Sequence, residues 1–433
     1  MDWFRRFCMM ATVLVALEAG AATGYRWSVP VEGIVSTENG CAPEGFLWID
    51  QGCDSLKALM FAFQNMNEET LFSSERFRKQ MADEGVGVLW IAPGFGQEWD
   101  VTQGVQDVFN GLLDSLAIVS GHPEVARVPL IAFGHSAQAT MPWNFAAWNP
   151  RRTLCVISYH GDAPRTNLCG YGRSNVEWGR TRNIDGIPGL MVMGEYEWWD
   201  ARLRPALAFR MMYPASCVSF LGDAGRGHFD LSERTADYIA LFIKKSISGR
   251  LHDGRLVSVN PENGWLAESW HPGQTRREKA ASYKDYKGCR HEAFWYFDEE
   301  MAELAEERYR ETGGKQPRWL GFERDGRLLR YDANAHCKIT DKIKPDDNGR
   351  FVVKAVFTDS TRTARDYRHS PELVKVRYVS GPARAVNDSV FEVDREHPTW
   401  HNPRRCGKIT LCAEAQTDGD WKETVQEIEI TVE

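Results

Sequence analysis

The stretch Val128-Pro129-Leu130-Ile131-Ala132-Phe133-Gly134-His135-Ser136-Ala137-Gln138 decides the fold of this chain. Its apolar first half predicts a strand that is buried on both faces of a parallel sheet. A glycine two positions before a serine lets the chain turn sharply and continue into a helix. The turn exposes the hydroxyl of Ser136 at the end of the strand, so Ser136 is the candidate nucleophile. Gln138 stands where the Gly-x-Ser-x-Gly pattern has its last glycine.

Strands and helices alternate on both sides of this stretch. The alternation extends through residues 55–248 and predicts an α/β fold with a mostly parallel sheet that helices cover on both faces. The irregular residues 23–55 are expected to supply the edge strands. The other predicted strands are 57–63, 86–92, 153–159, 188–194 and 216–220, and the predicted helices are 70–82, 103–119, 140–148, 201–212 and 231–246.

The first residues and the net charge limit where the chain works and what it binds. Residues 1–22 look like a secretory signal, with a basic start, an apolar run over 7–17 and small residues at 19–21. The apolar run is too short for a lasting anchor, so we expect an exported protein, secreted or periplasmic, with no membrane span in the mature chain. A formal net charge of -8 and the lack of a Lys/Arg-rich run argue against nucleic acid as a partner.

Changes in composition divide the rest of the chain into three parts. We predict a catalytic domain over 23–249 and an aromatic-rich connecting segment over 250–325, with one helix from 291 to 311. Residues 326–433 contain short alternating strands separated by Asp, Asn and Gly turns. This pattern predicts an accessory domain that is an antiparallel β-sandwich.

The cysteines suggest structural roles. None of the 10 cysteines forms a Cys-x-x-Cys pair, so a zinc or redox site has little support. An exported protein can form disulfides, so a local bridge between Cys41 and Cys53 is one option and one between Cys406 and Cys412 a second, but the pairing cannot be deduced from the sequence. Cys155 lies in an apolar run and is predicted to be a buried thiol.

Two later loops carry the residue types that a serine nucleophile needs. A serine hydroxyl reacts well only when a base removes its proton and a third group orients that base. His228 lies in a glycine-rich loop directly after a predicted strand and before the last helix of the catalytic domain. Three acidic residues, Glu195, Glu197 and Asp200, follow the predicted strand that ends at Gly194.

These motifs resemble those of the α/β-hydrolase superfamily, specifically of secreted serine esterases of the feruloyl esterase and acetyl-carbohydrate esterase type. The resemblance covers residues 23–248. It rests on Gly134-His135-Ser136-Ala137, on Gly194 with its acidic loop, and on Gly227-His228-Phe229. It implies hydrolysis of carboxylic esters through an acyl-Ser136 intermediate, with no metal and no cofactor.

The resemblance also implies the partners of Ser136. The base and the acid follow the serine in chain order, so His228 is the predicted base. In many such enzymes the acid comes three residues after the glycine that ends its strand. This spacing favours Glu197, with Glu195 and Asp200 as alternatives.

An oxyanion hole of two backbone N–H groups completes the implied site. Ala137, directly after the nucleophile, is expected to supply one donor. The other should come from the loop that follows the strand two before the nucleophile strand, and this loop contains Asn65 and Met66. The glycine-rich turn at 93–96 is excluded because it follows the strand immediately before that of the nucleophile.

The substrate prediction depends on aromatic and polar residues near the same edge. Trp198 and Trp199 lie beside the acid, and aromatic faces suit stacking on sugar rings. Gln138 beside the serine and His160 at a strand end are further predicted substrate contacts. Trp99, Trp143, Trp148 and Trp178 lie near this edge as well, although core packing is the more frequent role of any one tryptophan. The favoured substrate is a small-molecule or polysaccharide ester.

Two other functions are compatible with the sequence. One is a peptidase or a lipase-like esterase, because the same fold supports several hydrolytic reactions. The other is an inactive glycan-binding surface protein, which Gln138 and the missing His-Gly motif in the oxyanion loop would suit.

Overall fold

The computed structural model of the protein describes residues 24–195, 197, 199–224, 226, 228, 231–269, 278–311, 320–329, 339–357, 374–401, 406–417 and 420–430. The predicted signal segment and Trp198 lie outside these residues. No helix within the described ranges has the length and apolarity that a membrane span requires.

An eight-stranded sheet occupies the centre of the domain formed by residues 24–250. The strands of this domain are β1 (Trp27–Pro30), β2 (Glu44–Trp48), β3 (Ala58–Phe63), β4 (Val86–Ala92), β5 (Leu130–His135), β6 (Thr153–Tyr159), β7 (Leu168–Cys169), β8 (Arg173–Ser174), β9 (Pro188–Gly194) and β10 (Cys217–Asp223). Their order in the sheet is β1-β2-β4-β3-β5-β6-β9-β10, and β7 and β8 form a separate hairpin. The pairs β1/β2 and β2/β4 are antiparallel and the other neighbours are parallel, which confirms the predicted mostly parallel sheet.

Helices pack on both faces of this sheet. Those of the described residues are α1 (Asn67–Ser73), α2 (Glu75–Asp83), α3 (Val105–Ser120), α4 (Met141–Trp148), α5 (Trp199–Met212), α6 (Glu233–Arg250) and α7 (Glu299–Arg310). The predicted helix 70–82 is in fact two helices. Ser74 has an extended backbone, and its side chain accepts the N–H of Phe77 over 3.3 Å to cap α2.

Two neighbouring strands show why the apolar runs are continuous. Phe61 of β3 packs against Phe109 of α3 and Phe145 of α4, with ring centroids 4.7 and 4.9 Å away. In the parallel register Ala62 pairs with Phe133 of β5. Because adjacent side chains of a strand point to opposite faces, Phe133 lies on the other face, where its ring centroid is 6.0 Å from that of Phe72 of α1.

The aromatic-rich segment packs into the domain that contains the eight-stranded sheet. It contains β11 (Leu251–His252), β12 (Arg255–Leu256), β13 (Trp265–Glu268), β14 (Ala281–Ser282) and β15 (Ala293–Tyr296). The hydroxyls of Tyr296 and Tyr309 donate to the carbonyl of Phe220 in the last strand of the sheet, over 2.7 and 3.1 Å. The segment therefore covers β10, the last strand of the sheet. Proteins commonly protect such edge strands, whose backbone groups could otherwise pair with another chain.

The helix predicted over 291–311 is shorter in the structure. Residues Ala293–Tyr296 pair with β13 as a strand, and the helix begins only at Glu299. The side chain of Asp298 accepts the N–H of Met301 over 3.1 Å and caps the helix.

Small sheets make up the described C-terminal residues. Their strands are β16 (Leu320–Arg324), β17 (Arg327–Leu328), β18 (Ile339–Ile343), β19 (Arg350–Val352), β20 (Lys354–Phe357), β21 (Val374–Ser380), β22 (Ala383–Ala385), β23 (Val390–Val393), β24 (Lys408–Thr417) and β25 (Asp420–Ile430). They form the sheets β17-β16-β20, β18-β25-β24-β21 and β19-β23-β22, in which only the β18/β25 pair of the described strands is parallel. Phe322, Phe351, Phe391 and Leu411 belong to their shared apolar core.

The local bridge between Cys41 and Cys53 is not formed in the structure. Both residues are free thiols in the structure. Strand β2 lies between them, and five residues of strand span about 16 Å, whereas a disulfide needs Cα atoms within about 7 Å. The prediction for Cys155 is confirmed, because its thiol is buried and burial raises its pKa to about 12.

Candidate active site

Ser136 stands on a strained turn at the end of β5. Its φ is 53°, which an L-residue with a side chain rarely adopts, and a short 3₁₀ helix from Ser136 to Gln138 follows. A Cβ on Gly134 would lie 2.1 Å from the carbonyl oxygen of Gln138, so only glycine fits there. The close approach involves the backbone of Gln138, which explains why a side chain at 138 is tolerated.

Ser136, His228 and Glu197 come together at the carboxyl edge of the sheet. The Ser136 hydroxyl donates to Nε2 of His228 over 2.5 Å. On the opposite side of the ring, Nδ1 of His228 donates to Oε1 of Glu197. The three residues follow strands β5, β10 and β9, whose carboxyl ends share one edge of the sheet. In this arrangement His228 can accept the proton of Ser136 while Glu197 holds the ring in the required tautomer.

The surroundings of Glu197 keep its carboxylate charged. Burial opposes ionisation, but His160, the hydrogen bond from His228 and the N–H of Gly194 outweigh it, so the pKa of Glu197 lies below its usual value. The N–H of Gly194 donates to Oε2 of Glu197 over 3.0 Å. Of the two alternative acids, Glu195 is buried and its backbone N–H donates to the carbonyl of Asp223 over 3.0 Å, whereas the side chain of Asp200 lies outside the described atoms.

Two further histidines hold the backbone of His228. Nε2 of His135 and Nδ1 of His160 donate to the carbonyl oxygen of His228 over 2.7 and 2.8 Å, since a carbonyl can only accept. Burial, together with the nearby His228 and His160, keeps the pKa of His135 well below its usual value, so this ring is neutral. The ring of His160 is buried and stacks on Tyr159 with a centroid distance of 4.1 Å, so the structure gives no support to its predicted substrate contact.

The three histidines do not form a convincing metal site. One ring nitrogen of each lies within 4.8 Å of the others, which is a spacing that a transition metal could use. However, both ring nitrogens of His228 are engaged by Ser136 and Glu197, and Nε2 of His135 and Nδ1 of His160 donate to the His228 carbonyl. We therefore interpret the cluster as a hydrogen-bonding network.

The oxyanion loop lies beside the Ser136 turn because β3 and β5 are parallel neighbours. The side-chain amide of Asn65 donates to the carbonyl of His135 over 2.8 Å and joins the loop to the turn. The N–H of Met66 donates to Oε2 of Glu68 over 2.8 Å, which removes Met66 from the two predicted donors. In the described part of the chain, the N–H groups of Asn65 and Ala137 have no acceptor and remain available for an oxyanion.

Glu68 connects the oxyanion loop to the nucleophile strand. Its Oε1 accepts the N–H of His135 over 2.6 Å, and its Oε2 accepts that of Met66. The side chain is completely buried. Burial raises the pKa of Glu68 to about 8, although the two backbone hydrogen bonds act in the opposite direction.

Gln138 is fully buried, which gives no support to its predicted contact with substrate. Its side-chain nitrogen donates to Oε1 of Glu38. Glu38 belongs to the irregular residues before β2, so Gln138 joins that segment to the nucleophile turn.

The structure gives little support to stacking by the predicted tryptophans. Trp143 and Trp178 are completely buried in the core, and Trp99, which is 1% exposed, lines a cavity beyond the ends of β3 and β4. Trp199 is the first residue of α5, and its side chain, like the whole of Trp198, lies outside the described atoms.

A hairpin covers the nucleophile turn, and a separate cavity lies nearer to β3 and β4, without Ser136, His228 or Glu197 in its lining. The hairpin β7–β8 covers the turn, since a Cβ on Gly170 would lie 2.7 Å from the Cα of Ala137. The cavity of about 290 Å³ lies at the carboxyl ends of β3 and β4, with Phe63, Phe95 and Glu98 among its lining residues.

Sequence reasoning missed His135, Glu68 and the hairpin. His135 lies inside the motif itself, but the motif carries no information about what a side chain beside the serine contacts. Glu68 is in the first turn of α1, where an acidic residue is ordinarily an exposed partner of the helix dipole. The hairpin strands have two residues each, which is too short for a periodicity signal.

No protein-family model matches the chain, and no curated protein matches its sequence. Solved structures with similar regions include a thermostable esterase, with 13% identity over 45% of this chain and 53% of that chain and a TM-score of 0.30. A monoglyceride lipase from Saccharomyces cerevisiae has 10% identity over 50% of this chain and 97% of that chain, with a TM-score of 0.33. The serine hydrolase FphF from Staphylococcus aureus has 13% identity over 51% and 97%, with a TM-score of 0.33.

The chain thus spans about half the length of the thermostable esterase. Similarities at this level do not establish an activity, so we derive the function from the geometry around Ser136. The strand order and the strained serine turn of this chain fit the α/β-hydrolase fold.

Proposed function

We propose that this chain is a serine hydrolase of the α/β-hydrolase superfamily that cleaves carboxylic esters. The observation that carries the proposal is the 2.5 Å contact between Ser136 Oγ and His228 Nε2, with Glu197 on the other ring nitrogen. A serine, a histidine and a carboxylate in this sequence of contacts are the parts of an activated nucleophile.

Acylation begins when Oγ of Ser136 attacks the ester carbonyl carbon. As the new C–O bond forms, the serine proton moves to Nε2 of His228, and the carbonyl π electrons move to the oxygen. The tetrahedral intermediate collapses by breaking the bond to the alcohol oxygen, which takes the proton from Nε2. The products of this half-reaction are the free alcohol and the acyl-Ser136 ester.

Deacylation repeats the steps with water as the nucleophile. His228 removes a proton from the water while its oxygen attacks the acyl carbon. The proton then returns from Nε2 to Oγ of Ser136 as the acid departs. Glu197 is ionised throughout and stabilises the positive ring that forms in both halves.

Two backbone N–H groups are available to stabilise the intermediate. Those of Ala137 and Asn65 would donate to the oxyanion, and a single donor of this kind typically contributes about 2.7–4 kcal/mol to the barrier reduction. The bond from the Asn65 side chain to the carbonyl of His135 keeps the loop at the turn without using its backbone N–H.

The substrate and the location of the protein belong to the same proposal. Trp198 and Trp199, close to Glu197 in the sequence, support an ester carried by a polysaccharide or oligosaccharide. Residues 1–22 support export to the periplasm or the medium. The small C-terminal sheets and their shared core support one accessory β-sandwich.

A fluorophosphonate probe tests the reaction. We expect covalent labelling of the wild type, no labelling of Ser136→Ala and strongly reduced labelling of His228→Ala. The exposed residues Ser115 and His252 provide matched controls, so Ser115→Ala and His252→Ala should label like the wild type. A folded wild-type protein that does not react would refute the proposal and favour an inactive glycan-binding protein.

A substrate panel tests the ester class. Acetylated and feruloylated oligosaccharides should have higher kcat/KM values than simple aryl esters, acylglycerols or peptides. A preference for acylglycerols would instead indicate a lipase-like esterase, and a preference for peptides a peptidase.

A further inference from the structure

A buried carboxylate joins the C-terminal module, defined here as residues 320–430, to the helix after the oxyanion loop. Glu69 lies in the first turn of α1 and is 3% exposed. Its Oε1 lies 2.7 Å from Nε2 of His397, accepts the N–H of Gly381 over 3.1 Å and contacts the hydroxyl of Tyr378. Tyr378 and Gly381 are 309 and 312 residues away along the chain.

The module faces this carboxylate with potential hydrogen-bond donors, of which the Tyr378 hydroxyl also lies 2.7 Å from the carbonyl oxygen of Gly381. Nδ1 of His397 accepts the N–H of Thr399 over 3.2 Å, so in the neutral ring the proton is on Nε2 and points to Glu69. Burial and the charge of Glu69 raise the pKa of Tyr378 well above its usual value, so the hydroxyl keeps its proton.

The backbone donor also depends on a specific residue. Gly381 has a φ of 107°, and a Cβ at this position would lie 2.2 Å from the carbonyl oxygen of Lys408. Only glycine therefore allows the turn to pack so closely on β24 while its N–H donates to Glu69.

Glu68, the preceding residue, acts on the other side of the same helix. Successive helical residues are rotated by about 100°, so Glu68 and Glu69 face in different directions. Glu68 accepts the N–H groups of Met66 and His135, while Glu69 accepts donors from the module. The two glutamates thus place α1 between the oxyanion loop and the module.

The start of α1 lacks a side-chain cap. Its N-cap residue, Met66, makes no side-chain capping bond, and the helix has only 7 residues. A buried carboxylate without donors is strongly unfavourable, so Glu69 must follow the donors of the module. The module therefore helps to fix the position of α1, together with the bonds of Glu68 and the buried side chains of Leu71 and Phe72.

We propose that the C-terminal module positions the oxyanion hole. Tyr378, Gly381 and His397 hold Glu69, which holds α1 and thereby the Asn65 N–H beside Ser136. This proposal rests on the ester hydrolysis proposed above and gives the module a role in it. The four residues are positioning residues, since they act through the loop and not on the substrate.

The first test separates positioning from stability in the full-length protein. Tyr378→Phe and His397→Ala each remove one donor, whereas His397→Gln keeps a donor near the place of Nε2. With active sites counted by fluorophosphonate titration, we expect the double variant Tyr378→Phe/His397→Ala to lower kcat about tenfold or more, with KM for a small aryl ester unchanged. His397→Gln should retain most of the activity, and binding of an aryl boronic acid should weaken in parallel with kcat.

Glu75→Gln is the matched control, because Glu75 is an exposed glutamate at the start of the next helix. It should leave kcat and boronic acid binding at wild-type values. Donor-removing variants that lower the melting temperature but keep the wild-type kcat per active site would overturn the proposal.

A second measurement does not require activity. Deuterium uptake of a peptide covering 64–74 should rise in Tyr378→Phe and Glu69→Gln and stay at the wild-type level in Glu75→Gln. Unchanged uptake in the first two variants would refute the link between the module and the loop. An unreactive wild type with raised uptake in these variants would refute the ester hydrolysis alone, so the two failures can be told apart.

Discussion

Two buried glutamates flank the Ser136 turn, and their carboxyl groups behave differently. Glu197, on the side that transfers the proton, lies against His160 and His228, and its pKa is below its usual value. Glu68, on the oxyanion side, accepts two backbone N–H groups, and burial raises its pKa to about 8. Equal burial thus leads to opposite shifts, because histidine neighbours offset the loss of water around Glu197 and backbone amides alone do not offset it around Glu68.

The two glutamates belong to two sides of the site, one for proton transfer and one for binding the oxyanion. The proton-transfer side uses titratable side chains from loops after β6, β9 and β10. The oxyanion side uses backbone N–H groups, and its acidic residues hold the loop in place. Variants on the first side should therefore alter the chemical step most, and variants on the second should alter positioning and stability.

The largest effect is expected at Glu197. Glu197→Gln removes the charge that stabilises the positive ring and disturbs its tautomer, so kcat should fall by about 10³- to 10⁴-fold. Asp200→Asn, three residues further on, is the control and should stay close to the wild type in steady-state kinetics. A larger loss in Asp200→Asn than in Glu197→Gln would transfer the role of the acid to Asp200.

A smaller loss is expected when the backbone of His228 is released. His160→Ala removes one of the two donors to its carbonyl, and a small displacement of a catalytic group can cost about 10- to 100-fold in kcat. His160→Asn restores a donor and should recover part of the activity, with KM unchanged in both variants. Wild-type kcat in His160→Ala would show that His135 alone is sufficient.

Glu68 should make the free energy of unfolding depend on pH. A carboxyl group whose pKa is raised to about 8 on folding keeps a proton that the unfolded chain releases. Its contribution to stability is fully present below the unfolded pKa and is lost as the pH rises towards 8. The unfolding free energy should therefore fall by up to about 1.4 kcal/mol per pH unit between about pH 5 and 8.

Urea titrations over this pH range can measure the effect. Glu68→Gln should lack this part of the slope, and the exposed-site variant Glu75→Gln should keep it. Identical slopes in Glu68→Gln and the wild type would show that Glu68 is ionised in the folded protein across the range, like Glu197.

The smallest effect is expected at Gln138. Gln138→Gly restores the usual motif but removes the bond to Glu38 and adds backbone freedom, so it should cost about 1 kcal/mol of stability with little change in kcat. Thermal unfolding and kinetics on a sugar ester would measure both. A large rise in KM for sugar esters alone would revive a substrate contact for Gln138.

Local patterns in the sequence predicted much of this architecture. The apolar run before Gly134 and the alternation around it predicted a mostly parallel sheet with Ser136 at its edge. Strand order then placed His228, Glu197 and Asn65 at that edge, and the structure brings them together there. The prediction was wrong where strand pairing overrode a local helical pattern. Residues 293–296 pair with β13 instead of extending the helix.

No local pattern in the sequence predicted the contacts that surround Ser136, His228 and Glu197. His135 and His160 donate to a backbone carbonyl, and any residue type carries a carbonyl, so nothing in the sequence indicates the partner. The substrate contacts predicted for Gln138 and His160 find no support in their burial, since a position in the chain does not show whether a side chain faces the substrate or the interior.

The sequence by itself determined the nucleophile turn, because a glycine, a strained serine and an apolar strand are properties of neighbouring residues. Only the tertiary structure decided what supports the oxyanion loop. Glu68 bonds to a residue 67 positions away, and Glu69 to residues more than 300 positions away. Both glutamates look like surface residues of a short helix, and they are buried acceptors only because the nucleophile strand and the C-terminal module enclose them from opposite sides.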